Sequence, residues 1–305
     1  MTGFILKRLA MALPVMLAVA TIVFFLIHAI PGDPVDLILG EQALSVDRAE
    51  LASEMGLDRP VAEQYARFVS GLVRGDWGRS LFDRAPVLSH IGRHAGATLL
   101  LAASAMFVAV LIAIPAGVFA AVRKGSLWDQ AAMLAALVGI SVPNFWLGPV
   151  LILVFAVWLG VLPIAGRESL SSLVLPAVTL GFALSAMLSR LTRAAMLDEL
   201  GRGYVTTARA KGLSERAVIM KHAFRNALNP VVTIIGLEVG SLLAGTIVTE
   251  RIFNWPGIGT LLLDSISRRD YPLVEGCILA IAFAYVLVNA ATDCAYRLVD
   301  PRVKV

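Results

Sequence analysis

The sequence has few charged residues and only two cysteines for its 305 residues. Charged side chains make up 16% of the chain and hydrophobic residues 58%, and the mean hydropathy is +0.80. Soluble domains carry about 25% charged residues, so this composition predicts an integral membrane protein. Cys277 and Cys294 lie on one predicted helix, too far apart for a disulfide, and therefore indicate nothing about the redox compartment.

Sequence motifs for nucleotide binding, hydrolysis and metal chemistry are also absent. No lysine is followed by serine or threonine, as a phosphate-binding P-loop requires, and neither HExxH nor GxSxG occurs. His90 and His94 are one helical turn apart but belong to no metal-binding motif, so a solvated helix face is the better interpretation. We expect no catalytic residue, no metal site and no nucleotide bound by this chain.

Six apolar runs are long enough to cross a hydrocarbon core about 30 Å thick as helices. They cover approximately residues 9–30, 98–122, 131–159, 173–191, 231–249 and 273–298. The third run contains Pro143 and Pro149 and allows two interpretations, one kinked helix or two re-entrant pieces, of which we favour one helix. The prediction is an all-α integral membrane protein with about six transmembrane helices.

The positions of lysine and arginine predict the orientation of these helices. With the N-terminus inside, 15 of the 26 basic residues fall on the cytoplasmic side, eight of them between Arg190 and Arg225. Basic residues collect on the cytoplasmic side of membranes, so both termini are predicted to be cytoplasmic. The first run is followed by Pro31 and Gly32 without a small-residue cleavage pattern, and we expect it to remain as an anchor.

The predicted organisation has three parts in chain order. An N-terminal transmembrane anchor helix covers residues 1–30, an extracytoplasmic loop covers 31–97, and a five-helix core covers 98–300 with a cytoplasmic loop over 192–230. Within the outer loop, Val61, Tyr65, Phe68 and Leu72 have helical spacing and follow Pro60, which predicts an amphipathic helix. This helix either packs against the membrane helices or receives a soluble partner.

The fifth apolar run contains a candidate interface or pathway element. Gly236 and Gly240 form a small-xxx-small pair, continued by Ala244, that permits close approach of another helix. Glu238 lies between the glycines inside the predicted span, and intramembrane carboxylates are candidates for a pathway or partner contact. Because Glu238 lies within about two turns of the inner end, it could instead reach the cytoplasmic interface.

The basic loop between the fourth and fifth runs predicts two short helices. The first covers about Tyr204 to Lys211 and stops at Gly212, and Ser214 can cap the second. On the second helix, helical spacing predicts an apolar stripe of Ala217, Met220, Phe224 and Leu228. Anionic lipids could attract the positive charge, but a glycine-broken helix pair is typical of a helix that docks into a groove of another protein.

The segment from Tyr204 to Thr233 resembles the cytoplasmic coupling segment, the EAA loop, of binding-protein-dependent ABC importer permeases of the peptide and nickel branch. Further segments that resemble this family are Ile30–Val35, Gly75–Gly78, Ser141–Gly148, Phe253–Gly259, Arg269–Pro272 and Asp300–Arg302. The chain departs from the general signature by having Thr206, Thr207 and Ala208 at the Glu-Ala-Ala positions, and Asn229-Pro230 comes later than the usual Leu-Pro. Ala208 and Gly212 are the matches that carry over.

This resemblance implies a type I ABC importer permease fold and a division of labour between chains. The chain would form half of a pathway for di- or oligopeptides, with nickel chelates or glutathione as alternative cargo. The implied partners are a second homologous permease, two cytoplasmic ATPase subunits that use ATP and Mg, and an extracytoplasmic substrate-binding protein. No cofactor would be bound by this chain, which would lie in the bacterial inner membrane.

The same resemblance assigns contact with the ATPase to the first helix of the basic loop and its end. The implied coupling residues are Tyr204, Thr207, Ala208, Arg209, Ala210, Lys211 and Gly212. A small Ala208 is expected to permit close approach inside the partner's groove.

A secondary transporter is a rival interpretation, but it would show inverted repeats and several buried charges near the membrane midplane. An intramembrane enzyme would need paired catalytic groups within the spans.

Overall fold

A computed structural model describes residues 2–29, 35, 47, 49, 52–53 and 56–299, without the side chains of 2–7, 9, 244 and 293–299. The α-helices of the first half are α1 Thr2–Ala29, α2 Val61–Arg74, α3 Val87–Val122, α4 Leu127–Ser141 and α5 Asn144–Leu151. Those of the second half are α6 Val174–Leu200, α7 Gly203–Ala210, α8 Glu215–Ala217, α9 Phe224–Ile252, α10 Ile258–Arg268 and α11 Tyr271–Val299. A π-helix Ile152–Trp158 continues α5, a 3₁₀ turn Leu170–Leu173 precedes α6, and a π-helix Val218–Ala223 continues α8. Within these residues the only strand-like pairing is an isolated bridge between Arg79 and Pro86. Residues 30–34 and 300–302 of the family-like segments lie outside the described part.

Five helical segments of the described chain are long and apolar enough to cross a membrane, and a bent helix pair raises the number to six. The five are Ala10–Ala29, Val87–Val122, Leu170–Leu200, Glu215–Leu243 and Tyr271–Thr292. This confirms the prediction of an all-α protein with about six spans.

The bent pair corrects one prediction. The third apolar run is not one helix but two, α4 and α5, which meet at an angle of 101°. The break lies at Val142 and Pro143, where Val142 is extended with ψ of 117°. Proline disfavours the helical conformation at the residue before it and lacks an amide donor, which agrees with the end of the helix at this position.

The chain divides into two compact units that are discontinuous in sequence. Unit 1 comprises residues 1–98 and 256–286, and unit 2 comprises residues 99–255 and 287–305. The anchor, loop and core predicted from the sequence follow chain order instead, and they remain a prediction about membrane topology.

In unit 1, the predicted amphipathic helix α2 packs along α1. Phe24 stacks on Phe68 with ring centroids 5.6 Å apart and meets the edge of Tyr65 at 5.3 Å. The hydroxyl groups of Thr21 and Tyr65 share a hydrogen bond of 2.7 Å. Packing against a helix of its own chain therefore accounts for Tyr65 and Phe68 on the apolar face of α2, whereas Val61 is 44% exposed and Leu72 lines an apolar cavity.

A buried carboxylate joins two more segments of unit 1. Asp270, only 2% exposed, accepts hydrogen bonds from the Ser80 hydroxyl at 2.5 Å and from the Leu81 amide at 3.2 Å. The same side chain accepts the Leu273 amide at 3.4 Å in the first turn of α11. Because its oxygens are satisfied by hydrogen bonds, this buried acid fixes the loop before α3 to the start of α11.

In unit 2, helix α6 packs very closely against α3. A Cβ atom placed on Gly117 of α3 would lie 2.6 Å from the Ser189 carbonyl oxygen, and one on Gly181 of α6 would lie 2.6 Å from the Ala105 carbonyl oxygen. Real Cβ atoms do not approach backbone oxygens so closely. Backbone contact through glycine is the packing mode that favours helix association in lipid, where the hydrophobic effect between helices is weak.

Candidate functional site

The segment between α6 and α9 has the helix-turn-helix form that the sequence predicts. Helix α7 is capped at its C-terminus by Lys211, and Gly212 adopts φ of 78° in the left-handed region. The Gly212 amide donates to the Arg209 carbonyl at 2.9 Å, and the Ser214 hydroxyl accepts the Ala217 amide at the start of α8. Glycine adopts this backbone conformation without a Cβ clash, so α7 ends at this position and α8 begins after it.

The inner side of α7 belongs to the chain's own core. Val205 is fully buried and Ala208 is 7% exposed. Their buried neighbours are Ala121, Ala195, Met196, Val218, Ala223, Ala227 and Val231. The expected reason for a small Ala208 is therefore corrected: its methyl group fits under α7 within this chain, and not in the groove of a partner.

The outer side of α7 presents the other predicted coupling residues. Tyr204, Thr207, Arg209, Ala210, Lys211 and Gly212 are all exposed. Six of the seven predicted residues are thus exposed on a short helix and its C-terminal turn. We call these six residues the α7 outer surface.

Tyr204 connects this surface to the long helices on either side. Its hydroxyl donates to the Glu199 carboxylate of α6 at 2.5 Å and accepts from the Asn226 amide of α9 at 3.1 Å. Burial raises the pKa of the Tyr204 hydroxyl, and the neighbouring Glu199 acts in the same direction. Helix α7 is therefore attached by side-chain hydrogen bonds to both α6 and α9.

An ion pair spans the turn at Gly212. Arg209 Nε lies 2.8 Å from Glu215 Oε1, and Nη2 lies 3.3 Å from Oε2. The Glu215 carboxylate raises the pKa of the Arg209 guanidinium. The pair is exposed, so its contribution to stability is small, and it bridges α7 and the start of α8 by two contacts.

The predicted stripe on the second helix of the loop is only partly correct: Phe224 packs against the core cluster, but the fully buried positions are different ones. Met220 is 50% exposed, and the buried positions are Val218, Ala223, Ala227 and Val231. Their spacing begins with five residues because Val218–Ala223 is a π-helix, whose hydrogen bonds span one more residue than those of an α-helix. The ideal α-helical period has no place for the extra residue of a π-helix, so the sequence prediction named the residues next to the buried ones.

A buried ion pair of unit 2 was missed by the sequence analysis. Arg193 of α6 donates through Nε to Asp129 Oδ1 at 2.5 Å and through Nη2 to Oδ2 at 2.7 Å. The Gly125 amide also donates to Oδ2, at 2.9 Å, and Ser126 caps α4 by accepting the Asp129 amide. The spacing of Ser126 and Asp129 is that of a helix-capping pair, but nothing local in the sequence identifies the arginine 64 residues away.

The predicted small-xxx-small element lies on α9 and has a partner helix. A Cβ atom on Gly236 would lie 2.1 Å from Thr292 Cγ2 of α11, and the Thr292 hydroxyl is 3.1 Å from the Gly236 carbonyl oxygen. Gly240 is buried. Glu238 is half-buried, and no hydrogen bond or ion pair to it is found among the described residues. Gly236 thus serves a helix contact within the chain, whereas Glu238 remains available for another role.

Two family-like segments meet in unit 2. A Cβ atom on Gly148, at the end of the segment that begins at Ser141, would lie 3.3 Å from the Phe253 ring. The Phe253 carbonyl accepts the Gly166 amide at 2.9 Å, and the Arg167 guanidinium lies 5.8 Å from the Trp255 ring centre. The resemblance in two distant stretches of sequence therefore corresponds to one packed contact.

Comparison with known families agrees with this geometry. Residues 113–305 match the family described as binding-protein-dependent transport system inner membrane component, and residues 1–102 match the family of its N-terminal region. The chain belongs to this family. It is an inner-membrane component of a binding-protein-dependent transport system, which confirms the family resemblance and the multi-pass membrane location.

Characterised relatives cover the whole chain. It is 41% identical to the dipeptide transport system permease protein DppB of Escherichia coli (strain K12) over 336 aligned positions, with 100% of this chain and 99% of that protein covered. It is also 41% identical to the glutathione transport system permease protein GsiC of the same strain over 304 positions, with the same coverage.

A solved structure shows the fold. A chain of the MetNI methionine ABC transporter, in an inward-facing conformation, matches with a TM-score of 0.59 at 19% identity, covering 69% of this chain and 96% of that chain. This similarity confirms the predicted type I ABC importer permease fold.

Proposed function

We propose that this chain is one permease subunit of an ATP-driven importer and forms half of its pathway for di- or oligopeptides. The observation that carries this proposal is the 41% identity to the dipeptide permease across the full length of both chains. Similarity that includes the outer loop as well as the membrane helices supports a shared task, and not only a shared scaffold.

The α7 outer surface is the docking site for a cytoplasmic ATPase subunit in this proposal. A short exposed helix with its inner side in the core is suited to insertion into a groove of another protein. Closure of the two ATPase subunits around ATP and Mg displaces α7, and the hydrogen bonds of Tyr204 to Glu199 and Asn226 pass the displacement to α6 and α9. This chain transmits the motion and binds no nucleotide itself.

The remaining partners follow from the same assignment. A second homologous permease completes the pathway, and Glu238, which is half-buried beside the α9–α11 contact, supports a contact with that pathway or with the second permease. An extracytoplasmic substrate-binding protein delivers the peptide. The packing of α2 against α1 leaves Val61 and Val73 exposed, at 44% and 84%, as the apolar part of a landing surface.

The proposed orientation places α7 in the cytoplasm and α2 outside. It is supported by the basic residues on and around α7, of which Arg190, Arg202, Lys211 and Arg216 are exposed. A cysteine introduced at Lys211 or at Arg74, after replacement of Cys277 and Cys294, reports the side by labelling in intact cells. Labelling from outside at position 74 and not at 211 supports this orientation, and the reverse contradicts it.

Glutathione is a second candidate substrate. The alignment to the glutathione permease runs over 304 positions for a chain of 305 residues, whereas that to the dipeptide permease runs over 336. The dipeptide permease therefore contains segments without a counterpart here, although the identities are equal. This difference in length is the observation that favours glutathione.

Uptake into proteoliposomes separates the two substrates. The complete complex, with its binding protein, is supplied with ATP and either a radiolabelled dipeptide or radiolabelled glutathione. We expect binding-protein-dependent uptake of the dipeptide, and competition by unlabelled dipeptides of different sequence. Uptake of glutathione alone would replace the peptide assignment, and uptake of neither would refute both.

A further inference from the structure

Glu275 is a carboxyl group of unit 1 that the transport mechanism does not use. It lies in the second turn of α11 and is 7% exposed. Within the described chain it has neither a hydrogen bond nor an ion pair. Burial of a carboxylate is costly unless an opposite charge or a donor compensates it, so the position of Glu275 calls for a ligand.

A cavity of about 200 Å³ lies in front of Glu275. Its lining includes Phe24 and His28 of α1, Arg67 and Phe68 of α2, and Tyr271 of α11. The volume exceeds the roughly 30 Å³ that one water occupies in the liquid. It is smaller than the roughly 300 Å³ at which drug-sized pockets begin. The cavity is therefore of the size for a small polar group of a few heavy atoms.

The basic side chains around this cavity are not paired with Glu275. His28 Nδ1 lies 2.8 Å from the Phe24 carbonyl oxygen, and Nε2 lies 3.2 Å from Gln64 Oε1. Arg67, whose side chain is 58% exposed, lies 3.2 Å from the Glu63 carboxylate. Neither side chain is therefore paired with Glu275, and the exposed Arg67, whose guanidinium has five donors, can contact a second anion besides Glu63.

Aromatic rings complete the chemistry of the site. Phe24, Phe68 and Tyr271 line the cavity together with the carboxyl group of Glu275. A carboxylate accepts strong charge-assisted hydrogen bonds from an ammonium group, and an aromatic ring such as that of Tyr271 attracts cations. The guanidinium of Arg67 at the solvent side suits a phosphate or a carboxylate on the same ligand.

We propose that this cavity binds the primary ammonium group of a small zwitterion, with Glu275 as its counter-ion and Arg67 as the contact for its anionic group. Two sources carry this chemistry, the phosphoethanolamine headgroup of a lipid and the amino-terminal end of a short peptide. The binding site itself does not depend on which substrate the transporter carries.

A second cavity of unit 1 favours the lipid as the source. It has a volume of about 560 Å³, and its lining is apolar and comes from the same helices, including Leu17 and Ala20 of α1 and Val69 and Leu72 of α2. A polar cavity and an apolar cavity along the same two helices match the headgroup and an acyl chain of one lipid. A peptide needs only the polar cavity.

Ligand pairs that differ only at the amine test the proposal on the full-length chain. Purified protein is titrated with short-chain phosphatidylethanolamine or phosphatidylcholine, and separately with glycylglycine or N-acetyl-glycylglycine, and binding is followed by native mass spectrometry or calorimetry. We expect the member with the primary ammonium to bind about tenfold more tightly, as loss of one charge-assisted hydrogen bond predicts. Preference within the lipid pair identifies a lipid site, and preference within the peptide pair identifies a peptide site.

Variants locate the binding in this cavity. Glu275→Gln keeps the side-chain shape and should weaken binding of the preferred ammonium ligand about tenfold. Glu168→Gln, in an exposed loop of unit 2, is the matched control and should bind as the wild type does. Equal binding of both members of each pair, or wild-type binding by a folded Glu275→Gln protein, overturns the proposal. If that variant does not fold, the comparison of ligands on the wild-type protein decides alone.

Discussion

Arg193 and Asp129 form a two-point ion pair between helices α6 and α4, with one N–O distance of 2.5 Å and the other of 2.7 Å. The Asp129 side chain is 5% exposed and that of Arg193 is 25% exposed. The pair fixes the turn between α3 and α4 to the helix that leads directly into α7. In the proposed mechanism, the pair therefore holds one end of the path along which motion of α7 would reach the membrane helices.

Removal of either partner should destabilise the protein, because it leaves the buried Asp129 without its guanidinium partner or the partly buried Arg193 without its carboxylate. We expect Arg193→Gln and Asp129→Asn each to lower the melting temperature of the purified chain by several degrees. The double variant should be destabilised by less than the sum of the two, since the single variants break the same pair. Arg190→Gln, an exposed arginine of the same helix, is the control. Additive effects in this cycle would show that the pair contributes no coupling.

Substitution of Gly212 should impair transport according to the tolerance of each residue for positive φ. No atom lies within 4 Å of a Cβ built at this position, so the cost is conformational and not a steric clash with neighbours. Asparagine tolerates this region better than alanine, and valine is the least suited. At equal membrane levels, we expect Gly212→Asn to retain the most uptake, Gly212→Ala less, and Gly212→Val the least. Equal uptake by all three variants would show that the turn geometry is unimportant.

Tryptophan substitutions on the two sides of α7 should have different effects. Ala208→Trp overfills the core cluster around Met196 and Val205, so we expect loss of folded protein. Ala210→Trp adds its side chain to the exposed side, so the chain should fold normally but fail to retain the ATPase subunit. Thermal stability and co-purification measure the two effects separately. Retention of the ATPase by a folded Ala210→Trp protein would argue against docking on the α7 outer surface.

Substitution of Gly236 should separate α9 from α11. Alanine places a Cβ atom at 2.1 Å from Thr292 Cγ2, which the side chain or the helix must avoid by moving. We expect Gly236→Ala to lower thermal stability and transport, and Thr292→Ala in addition to restore part of both, since it removes the clashing methyl group. Failure of the second substitution to restore either quantity would mean that the contact of Gly236 with Thr292 does not limit packing.

The short-range features of the site were predictable from the sequence. Gly212 and Ser214 determine where α7 ends and α8 begins through local backbone geometry and capping, and both behave as predicted. The buried side of α7 was not predictable, because the inward direction of Val205 and Ala208 depends on helices that come from elsewhere in the chain.

Features that depend on a distant partner or an irregular turn escaped the sequence analysis. The π-helix at Val218–Ala223 shifts the buried face by one residue, and an ideal period of 3.6 does not allow for it. The ion pair of Asp129 with Arg193 joins two different helices, and no local sequence pattern relates residues that are 64 positions apart. Pro143 is visible in the sequence, but the sequence does not show whether a proline bends one helix or separates two, and the structure has two helices at this point.

Dependence of uptake on ATP hydrolysis tests the central claim most directly. Proteoliposomes that contain this chain, the second permease and the ATPase subunits are compared with vesicles lacking only the ATPase subunits, with the loaded binding protein outside and ATP inside. We predict that the loaded binding protein stimulates ATP hydrolysis and that peptide accumulates only in the complete vesicles. Accumulation in the vesicles without ATPase subunits, driven by an ion gradient, would contradict the account of this chain as a permease subunit moved by ATP.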